Sequence, residues 1–175
     1  MHAVVAPLYT IGHGRRPVEE LLECLGAAGV RTLVDVRRFP GSRRNPQFNR
    51  DALAERVEAV GIGYRHAVEL GGRRSGEAGE ERFACLGAFA GYAARMGRPE
   101  WQRALADALS EPVPCFMCAE TAWQRCHRRL ISELLVARRH HVVHLIRPHE
   151  SELHQPYVDA EVRDGRLYLC DEPVA

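Results

Sequence analysis

The chain has 175 residues, the size of one ordinary domain and long enough to bury a substantial core. Its 24 basic and 23 acidic residues nearly cancel, which does not favour a general nucleic-acid-binding protein, although a local basic patch is compatible with this balance. All the basic residues are arginines, so lysine Schiff-base enzymes, P-loop nucleotide hydrolases and protein kinases are excluded. We therefore expect a single domain over residues 1–175, without a cofactor.

The lengths of the apolar runs predict where in the cell the protein is located, and that location predicts the state of its cysteines. No run approaches the roughly 20 residues that span a bilayer, and Met1 to Pro7 is too short for a signal peptide. We therefore expect a cytoplasmic protein with no membrane partner. In that compartment the six cysteines are expected to be free, catalytic or metal-bound rather than paired in disulfides.

The N-terminal half of the chain predicts three strands separated by two helices. Strands are expected at 8–11, 32–36 and 62–68, and helices at 18–28 and 50–60. Pro17 favours the beginning of the first helix and Gly29 favours its end. Asn49 is a candidate N-cap for the second helix. This β-α-β-α-β order implies parallel strands joined by right-handed crossovers.

The C-terminal half predicts two more strands and a hairpin. Helices are expected at 83–96 and 99–109, strands at 113–118 and 141–146, and a long amphipathic helix lies between those strands. Asp164-Gly165 is a turn dipeptide, which predicts a hairpin of 159–163 and 166–170. The pattern predicts a three-layer α/β/α fold with a mostly parallel five-stranded sheet and a small C-terminal β-hairpin.

Polar residues that follow the strands predict the place of a site. His13 follows the first strand, an arginine-rich loop (37–44) the second, Glu69 the third, and Cys118 with Glu120 the fourth. Parallel strands end at one edge, where open α/β sheets bind ligands, and the start of the next helix favours an anion there. A strand order of 3-2-1-4-5 would place His13 beside Cys118, and we expect that order.

The residue types at this edge predict an enzyme for a small phosphorylated or nucleotide-like substrate. Cys118 is the candidate nucleophile, because arginines, a histidine and a helix start would each lower the pKa of its thiol from about 8.5. Glu120, His13 and His127 are the other candidate catalytic residues. A small buried thiol and a core histidine are equally open interpretations of Cys118 and His127. The expected substrate-binding residues are Arg37, Ser42, Arg43, Gly71, Gly72, Cys126 and Arg128.

An anion bound at this site would be a sulfate or phosphate near residues 126–128. We expect backbone N–H groups at the start of the long helix to hold it, together with Arg37 or Arg43. The helix carries a partial positive charge at its start, and an arginine fork matches an oxyanion. Both features favour a small anionic ligand.

Two alternatives from other classes remain open. A non-catalytic module could bind nucleic acid or a nucleotide through Arg37, Arg38, Arg43, Arg44, Arg73 and Arg74.

The other alternative is a zinc site of Cys118, Cys126 and His127. Its spacing is not a familiar zinc pattern, and adjacent residues on a helix point about 100° apart, so the expected site contains no metal. Cys115 and Cys118 form a Cys-x-x-Cys spacing, but on a strand they would face opposite sides of the sheet. Cys118 and Cys126 could instead form a redox pair, but only if the loop between them folds back.

Several motifs occur in an order that resembles one known family: Thr10-Ile-Gly-His-Gly14, Leu33-Val-Asp-Val-Arg37, Leu70-Gly-Gly72, Cys118-Ala-Glu120 and Cys126-His-Arg128. The chain is similar, from about Tyr9 to His154, to the bacterial and archaeal family called domain of unknown function 488. The resemblance implies a compact α/β domain with a shared pocket and carries no assigned reaction. Cys115 and the residues after His154 depart from the family's pattern.

Overall fold

A computed structural model describes residues 6–157 and 160–174 of the chain. Within them the main sheet has the strand order β3-β2-β4-β1-β5-β6, and all pairs are parallel except β5 with β6. This confirms the predicted mostly parallel α/β fold. The strands are β1 (Leu8–Gly12), β2 (Thr32–Asp35), β3 (Gly63–His66), β4 (Pro114–Cys118), β5 (Val142–Arg147) and β6 (Glu150–Leu153).

The predicted strand order 3-2-1-4-5 is wrong, because β4 lies between β2 and β1. β4 is buried at all five positions, because both faces of the sheet are covered there. The predicted order was expected to place His13 beside Cys118, and these residues are still neighbours. β1 pairs with β4, and Gly12 lies opposite Cys118. The sixth strand, β6, was not predicted, because all its residues are exposed and lack an apolar alternation.

Helices cover both faces of the sheet. Leu21 and Leu53, on the first two helices, belong to the core on one face, whereas Tyr92, Leu105 and Leu134 belong to the core on the other face. The result is the predicted three-layer arrangement. The helices are α1 (Val18–Ala27), α2 (Arg50–Glu58), α3 (Ala90–Met96), α4 (Pro99–Leu109) and α5 (Arg128–Ala137).

One predicted helix start is wrong, and one predicted capping residue has its expected position but not the expected hydrogen bond. The helix expected at 83–96 begins only at Ala90, because Gly87 has a φ of +54° and Phe83 is also non-helical, which leaves Glu80–Phe89 as a kinked 3-10 segment. Asn49 does precede α2, but its side chain makes no capping hydrogen bond. Instead the Asn49 side-chain oxygen accepts the N–H of Ser42 at 2.6 Å and tethers the arginine-rich loop.

The C-terminal residues form the predicted hairpin and one further strand. β7 (Ala160–Arg163) and β8 (Arg166–Leu169) flank Asp164-Gly165, and β9 (Glu172–Pro173) pairs with β8. Asp159, the expected first residue of the hairpin, lies outside the described residues. The hairpin packs on the core through β8, whose Leu167 and Leu169 join the cluster that contains α5.

A disulfide joins Cys85 to Cys170 and ties this small sheet to the kinked segment. The expectation that no cysteine is paired is therefore wrong for these two, because folding brings together residues 85 positions apart in the chain. The other four cysteines are free and buried. Among residues 6–157 and 160–174, no helix has the length and apolar character that crossing a bilayer requires.

Candidate functional site

A pocket of about 980 Å³ lies at the carboxyl edge of the main sheet. The loops after β1, β2 and β4 line it, together with residues 72–74 and the segment that leads into α5. Eight of the predicted site residues line the pocket: His13, Arg37, Ser42, Gly72, Cys118, Glu120, Cys126 and His127. Three do not: Arg43, Gly71 and Arg128.

Cys118, Cys126 and His127 form a buried cluster at the pocket. The Sγ atoms of Cys126 and Cys118 lie 3.6 Å and 3.9 Å from Nδ1 of His127, and the three atoms are all within 4.8 Å of one another. Nε2 of His127 donates its hydrogen to the carbonyl oxygen of Val36 at 3.1 Å. This hydrogen bond places the proton on Nε2, so the lone pair of Nδ1 faces the two sulfur atoms.

The backbone before α5 explains why these side chains converge. Cys126 is extended, with φ −122° and ψ 150°, and His127 is the residue that precedes the first helical turn. The expectation that both residues belong to the helix and diverge by about 100° is therefore wrong. Cys118, at the end of β4, faces the same side of the sheet, whereas Cys115 packs in the core on the opposite side, as the strand period predicts.

The two thiols of this cluster have opposite pKa shifts. A hydrogen bond to Cys126, together with burial, raises the pKa of Cys118 to about 12. Burial would also raise the pKa of Cys126, but the hydrogen bond from Cys118 and the charge and N–H of Arg128 lower it to about 6. The expected lowering of the Cys118 pKa is therefore wrong, and Cys126 is the sulfur whose surroundings favour the thiolate.

Arg128 lies under the pocket rather than in it. Its side chain is almost completely buried and donates to the hydroxyl of Thr10 at 3.0 Å and to the carbonyl of Glu120 at 2.6 Å. Its backbone N–H points at Sγ of Cys126, 3.5 Å away. The N–H group at the helix start, where an external anion was expected, therefore already faces a sulfur atom of the chain itself.

Thr10 connects Arg128 to a buried chain of hydrogen-bonding groups that the sequence did not reveal. Its hydroxyl lies 2.7 Å from Nδ1 of His144, and Nε2 of His144 lies 2.9 Å from Nδ1 of His154. Nε2 of His154 in turn lies 3.2 Å from the carboxylate of Glu133 on α5. This last contact lacks hydrogen-bond geometry, so the hydrogen-bonded chain runs from Arg128 through Thr10 and His144 to His154.

His13 and Arg37 reach the pocket from the other face of the sheet. Arg37 is buried, forms a bidentate ion pair with Asp35 at 2.5 and 2.8 Å, and also donates to the carbonyl of Phe48. His13 stacks on Phe48, and its Nδ1 donates to the carbonyl of Gly14, which leaves Nε2 to accept from Arg37 at 3.3 Å. Burial and the charge of Arg37 lower the pKa of His13 to about 4.

The glycines of the predicted site serve close packing. A side chain at Gly72 would place its Cβ 2.5 Å from Nδ1 of His127, and one at Gly71 would lie 2.8 Å from Cα of Arg38. Gly71 is therefore a packing residue, and Gly72 keeps open the space beside the imidazole. Ser42 accepts the N–H of Asn45 within the arginine-rich loop, and Glu120 is exposed, with Oε1 accepting the N–H of Ala122.

The cationic side chains around the pocket are partly those expected from the sequence. Six lining residues are arginines (Arg15, Arg37, Arg38, Arg73, Arg74 and Arg125), whereas Glu120 is the single carboxylate residue on the lining. Apart from Arg37, none of them forms an ion pair with a carboxylate among the described residues. Arg15 and Arg125 were not predicted; each stands next to a predicted site residue or motif, Gly14 and Cys126, which is the signal that could have indicated them.

These features define an α/β protein with a cation-rich pocket and a sulfur–imidazole cluster at the carboxyl edge of its sheet. The family described as "Domain of unknown function DUF488" matches residues 17–135, more than half of the chain. The chain therefore belongs to the DUF488 family. The match is narrower than the predicted similarity from Tyr9 to His154 and leaves Thr10 and His13 outside it. No curated protein and no solved structure matches the chain.

Proposed function

We propose that the protein is an enzyme that binds a small phosphorylated or nucleotide-like anion in this pocket and acts on it with the groups at the pocket's floor. The observation that carries the proposal is the charge of the lining: five arginines without a carboxylate partner among the described residues, against one glutamate. The whole chain has a net charge of only +1, so this excess is local. Concentrated guanidinium groups are suited to phosphate and carboxylate ligands.

The surroundings of Arg74 support an anionic ligand. Burial, followed by the charges of Arg95 and Arg38, lowers the pKa of Arg74. A bound phosphate between Arg38 and Arg74 would offset that repulsion and gain charge-assisted hydrogen bonds.

Phe39 supports a ligand that carries a flat ring. Its side chain lines the pocket although it is 65% exposed, and the guanidinium of Arg38 lies 5.1 Å from its ring centroid. An exposed aromatic ring beside arginines is the arrangement on which nucleobases stack. We therefore place a nucleotide first among the substrates of this class.

The chemical roles that we propose for the site residues differ in part from those predicted from the sequence. In the metal-free protein Cys126 replaces Cys118 as the proposed reactive sulfur, and His127 orients the pair. Glu120 is exposed at the pocket and is the proposed proton acceptor or donor. His13 and Arg37 are positioning residues, since their polar atoms already have partners within the protein.

Binding and turnover test this proposal separately. We expect a fluorescent nucleoside triphosphate to bind the wild-type protein, with competition by inorganic phosphate and an affinity that falls as salt is raised. An Arg38→Ala, Arg125→Ala double variant should bind about 10-fold more weakly or worse, because two charge-assisted contacts are lost. Arg103→Ala removes an exposed arginine outside this pocket and should bind like the wild type. Equal affinity in both variants would refute the anion site.

A panel of phosphorylated compounds tests catalysis. We expect product formation from at least one compound by the wild-type protein, and none by Cys126→Ser although that variant still binds the nucleotide. Binding without turnover of any compound would assign the pocket to a non-catalytic module. Tighter binding of a single-stranded oligonucleotide than of the nucleotide, with a steep salt dependence, would favour the nucleic-acid alternative.

A further inference from the structure

The cluster of Cys118, Cys126 and His127 has the dimensions of a metal site. Zinc bound to thiolate at about 2.3 Å and to imidazole at about 2.1 Å, in tetrahedral geometry, separates sulfur from nitrogen by about 3.6 Å. The two sulfur–nitrogen distances here are 3.6 and 3.9 Å, and the three candidate ligand atoms lie within 4.8 Å of one another. Both sulfur–nitrogen distances are therefore close to those of a tetrahedral zinc site.

The imidazole is held in the state that a ligand requires. Nε2 of His127 donates to the carbonyl of Val36 at 3.1 Å, which leaves the lone pair of Nδ1 directed at the sulfur atoms. Metal-binding histidines are usually oriented by such a hydrogen bond from the other ring nitrogen. Gly72 adds to this, because any side chain there would lie 2.5 Å from Nδ1 and fill the space next to it.

The surroundings also suit metal-bound thiolates. The backbone N–H of Arg128 points at Sγ of Cys126, and its buried guanidinium has hydroxyl and carbonyl partners rather than a carboxylate. Two thiolates and one divalent ion together carry no net charge, which suits a buried site.

We propose that Cys118, Cys126 and His127 bind a divalent metal ion of the zinc type, with its fourth coordination position open toward the arginine-lined pocket. Two sulfur ligands and one imidazole favour zinc over the hard ions magnesium and calcium. All three residues line the pocket, so water or a substrate oxygen can reach the fourth position. The identity of that fourth ligand rests on the function proposed above, whereas the three protein ligands do not depend on it.

Metal binding is measured on untagged full-length protein, reduced with a thiol-free reductant and stripped with a chelator. We expect the wild type to take up one equivalent of Zn²⁺ in competition with a chromophoric chelator. Cys118→Ser, Cys126→Ser and His127→Ala should each bind more than about 100-fold more weakly. The matched control is Cys115→Ser, which removes a buried free thiol on the same strand but the opposite face and should bind like the wild type.

Cobalt keeps the test decisive if a variant fails to fold. Co²⁺ added to the stripped wild-type protein should produce a thiolate-to-cobalt charge-transfer band and the intense visible bands of a tetrahedral site. Absence of both, less than stoichiometric Zn²⁺, or wild-type affinity in folded Cys126→Ser would overturn the proposal. The Arg38→Ala, Arg125→Ala variant should keep its Zn²⁺ while losing the nucleotide, so failure of either proposal is visible without the other.

Discussion

At the scale of single residues, the site depends on which of two neighbouring sulfur atoms carries the charge. Arg128 and the hydrogen bond from Cys118 favour the thiolate at Cys126, whereas that hydrogen bond and burial keep Cys118 protonated. Arg128 is available for this role because its buried side chain has no carboxylate partner among the described residues.

The metal-free thiols should therefore react unequally with iodoacetamide. In reduced, chelator-treated protein we expect alkylation at Cys126 with an inflection near pH 6, the pKa that its surroundings produce. Mass spectrometry of digested samples across pH identifies the modified residue. Cys126→Ser should lose the inflection and Cys115→Ser should keep it; an inflection that persists in Cys126→Ser would contradict the assignment.

Gly72 is the second residue on which the cluster depends. Gly72→Ala should displace the His127 ring, because the added Cβ would lie 2.5 Å from Nδ1, and should lower the free energy of unfolding by about 1–3 kcal/mol. Urea denaturation and Zn²⁺ affinity measure the two effects.

Gly26→Ala is the matched control for this change. Gly26 lies in α1, and its Cβ would meet no atom within 4 Å. That substitution should be neutral or stabilising by up to about 1 kcal/mol, because alanine is the better helix former. Equal effects of the two substitutions would show that close packing at Gly72 is unimportant.

At the scale of elements, the buried chain from Thr10 through His144 to His154, with Glu133 beside it, joins β1, β5, the residues after β6, and α5. Trp123 covers it by stacking on His144 with ring centroids 4.2 Å apart. Burial and the neighbouring His154 and Arg128 lower the pKa of His144 to about 3. The imidazole is therefore held neutral inside the protein.

Acid should destabilise the fold through His144 and His13. Their folded-state pKa values, about 3 and about 4, lie below the ordinary value of 6.5, so only the unfolded chain takes up these protons as pH falls from 6.5. Stability should be greatest above pH 6.5 and fall by about 1.4 kcal/mol per pH unit for each histidine once the pH is well below 6.5.

Urea denaturation between pH 5 and pH 7 measures this slope. His144→Gln should be less stable at pH 7 but show a shallower pH dependence, since one of the two groups is gone. His140→Gln changes a partly exposed histidine just before β5, and it should keep the wild-type slope. An unchanged slope in His144→Gln would contradict the neutral state inferred for this histidine.

At the scale of the whole molecule, the Cys85–Cys170 disulfide ties the C-terminal sheet to the segment before α3. It closes a loop across 85 positions of sequence, which restricts the unfolded chain. Besides this bond, the sheet is held through Leu167 and Leu169 in the core shared with α5.

Loss of this disulfide should lower the free energy of unfolding by about 2–4 kcal/mol. The Cys85→Ser, Cys170→Ser double variant, compared with oxidised and reduced wild type in urea, measures the effect. The reduced wild type should resemble the variant, and Cys24→Ser, which removes another buried cysteine, separates the disulfide from simple thiol loss. Equal stability of oxidised and reduced wild type would contradict a stabilising role.

The sequence alone determined the elements and the edge at which a site would form. Apolar periodicity and proline or glycine stops are local signals, and they predicted the parallel strands, most helices and the hairpin. Parallel strands share a carboxyl edge, so His13, Cys118 and Glu120 could be placed beside one pocket from their positions alone.

Only the tertiary structure decided the strand order, the disulfide and the assignment of the thiolate. The apolar strands β1 and β4 have similar patterns, and which of them pairs with β2 depends on contacts between distant segments. The role of Cys126 depends on the extended backbone before α5 and on the buried Arg128, whose position is decided by contacts with Thr10. Such contacts join residues far apart in the chain, and no local pattern encodes their distances or their effect on a pKa.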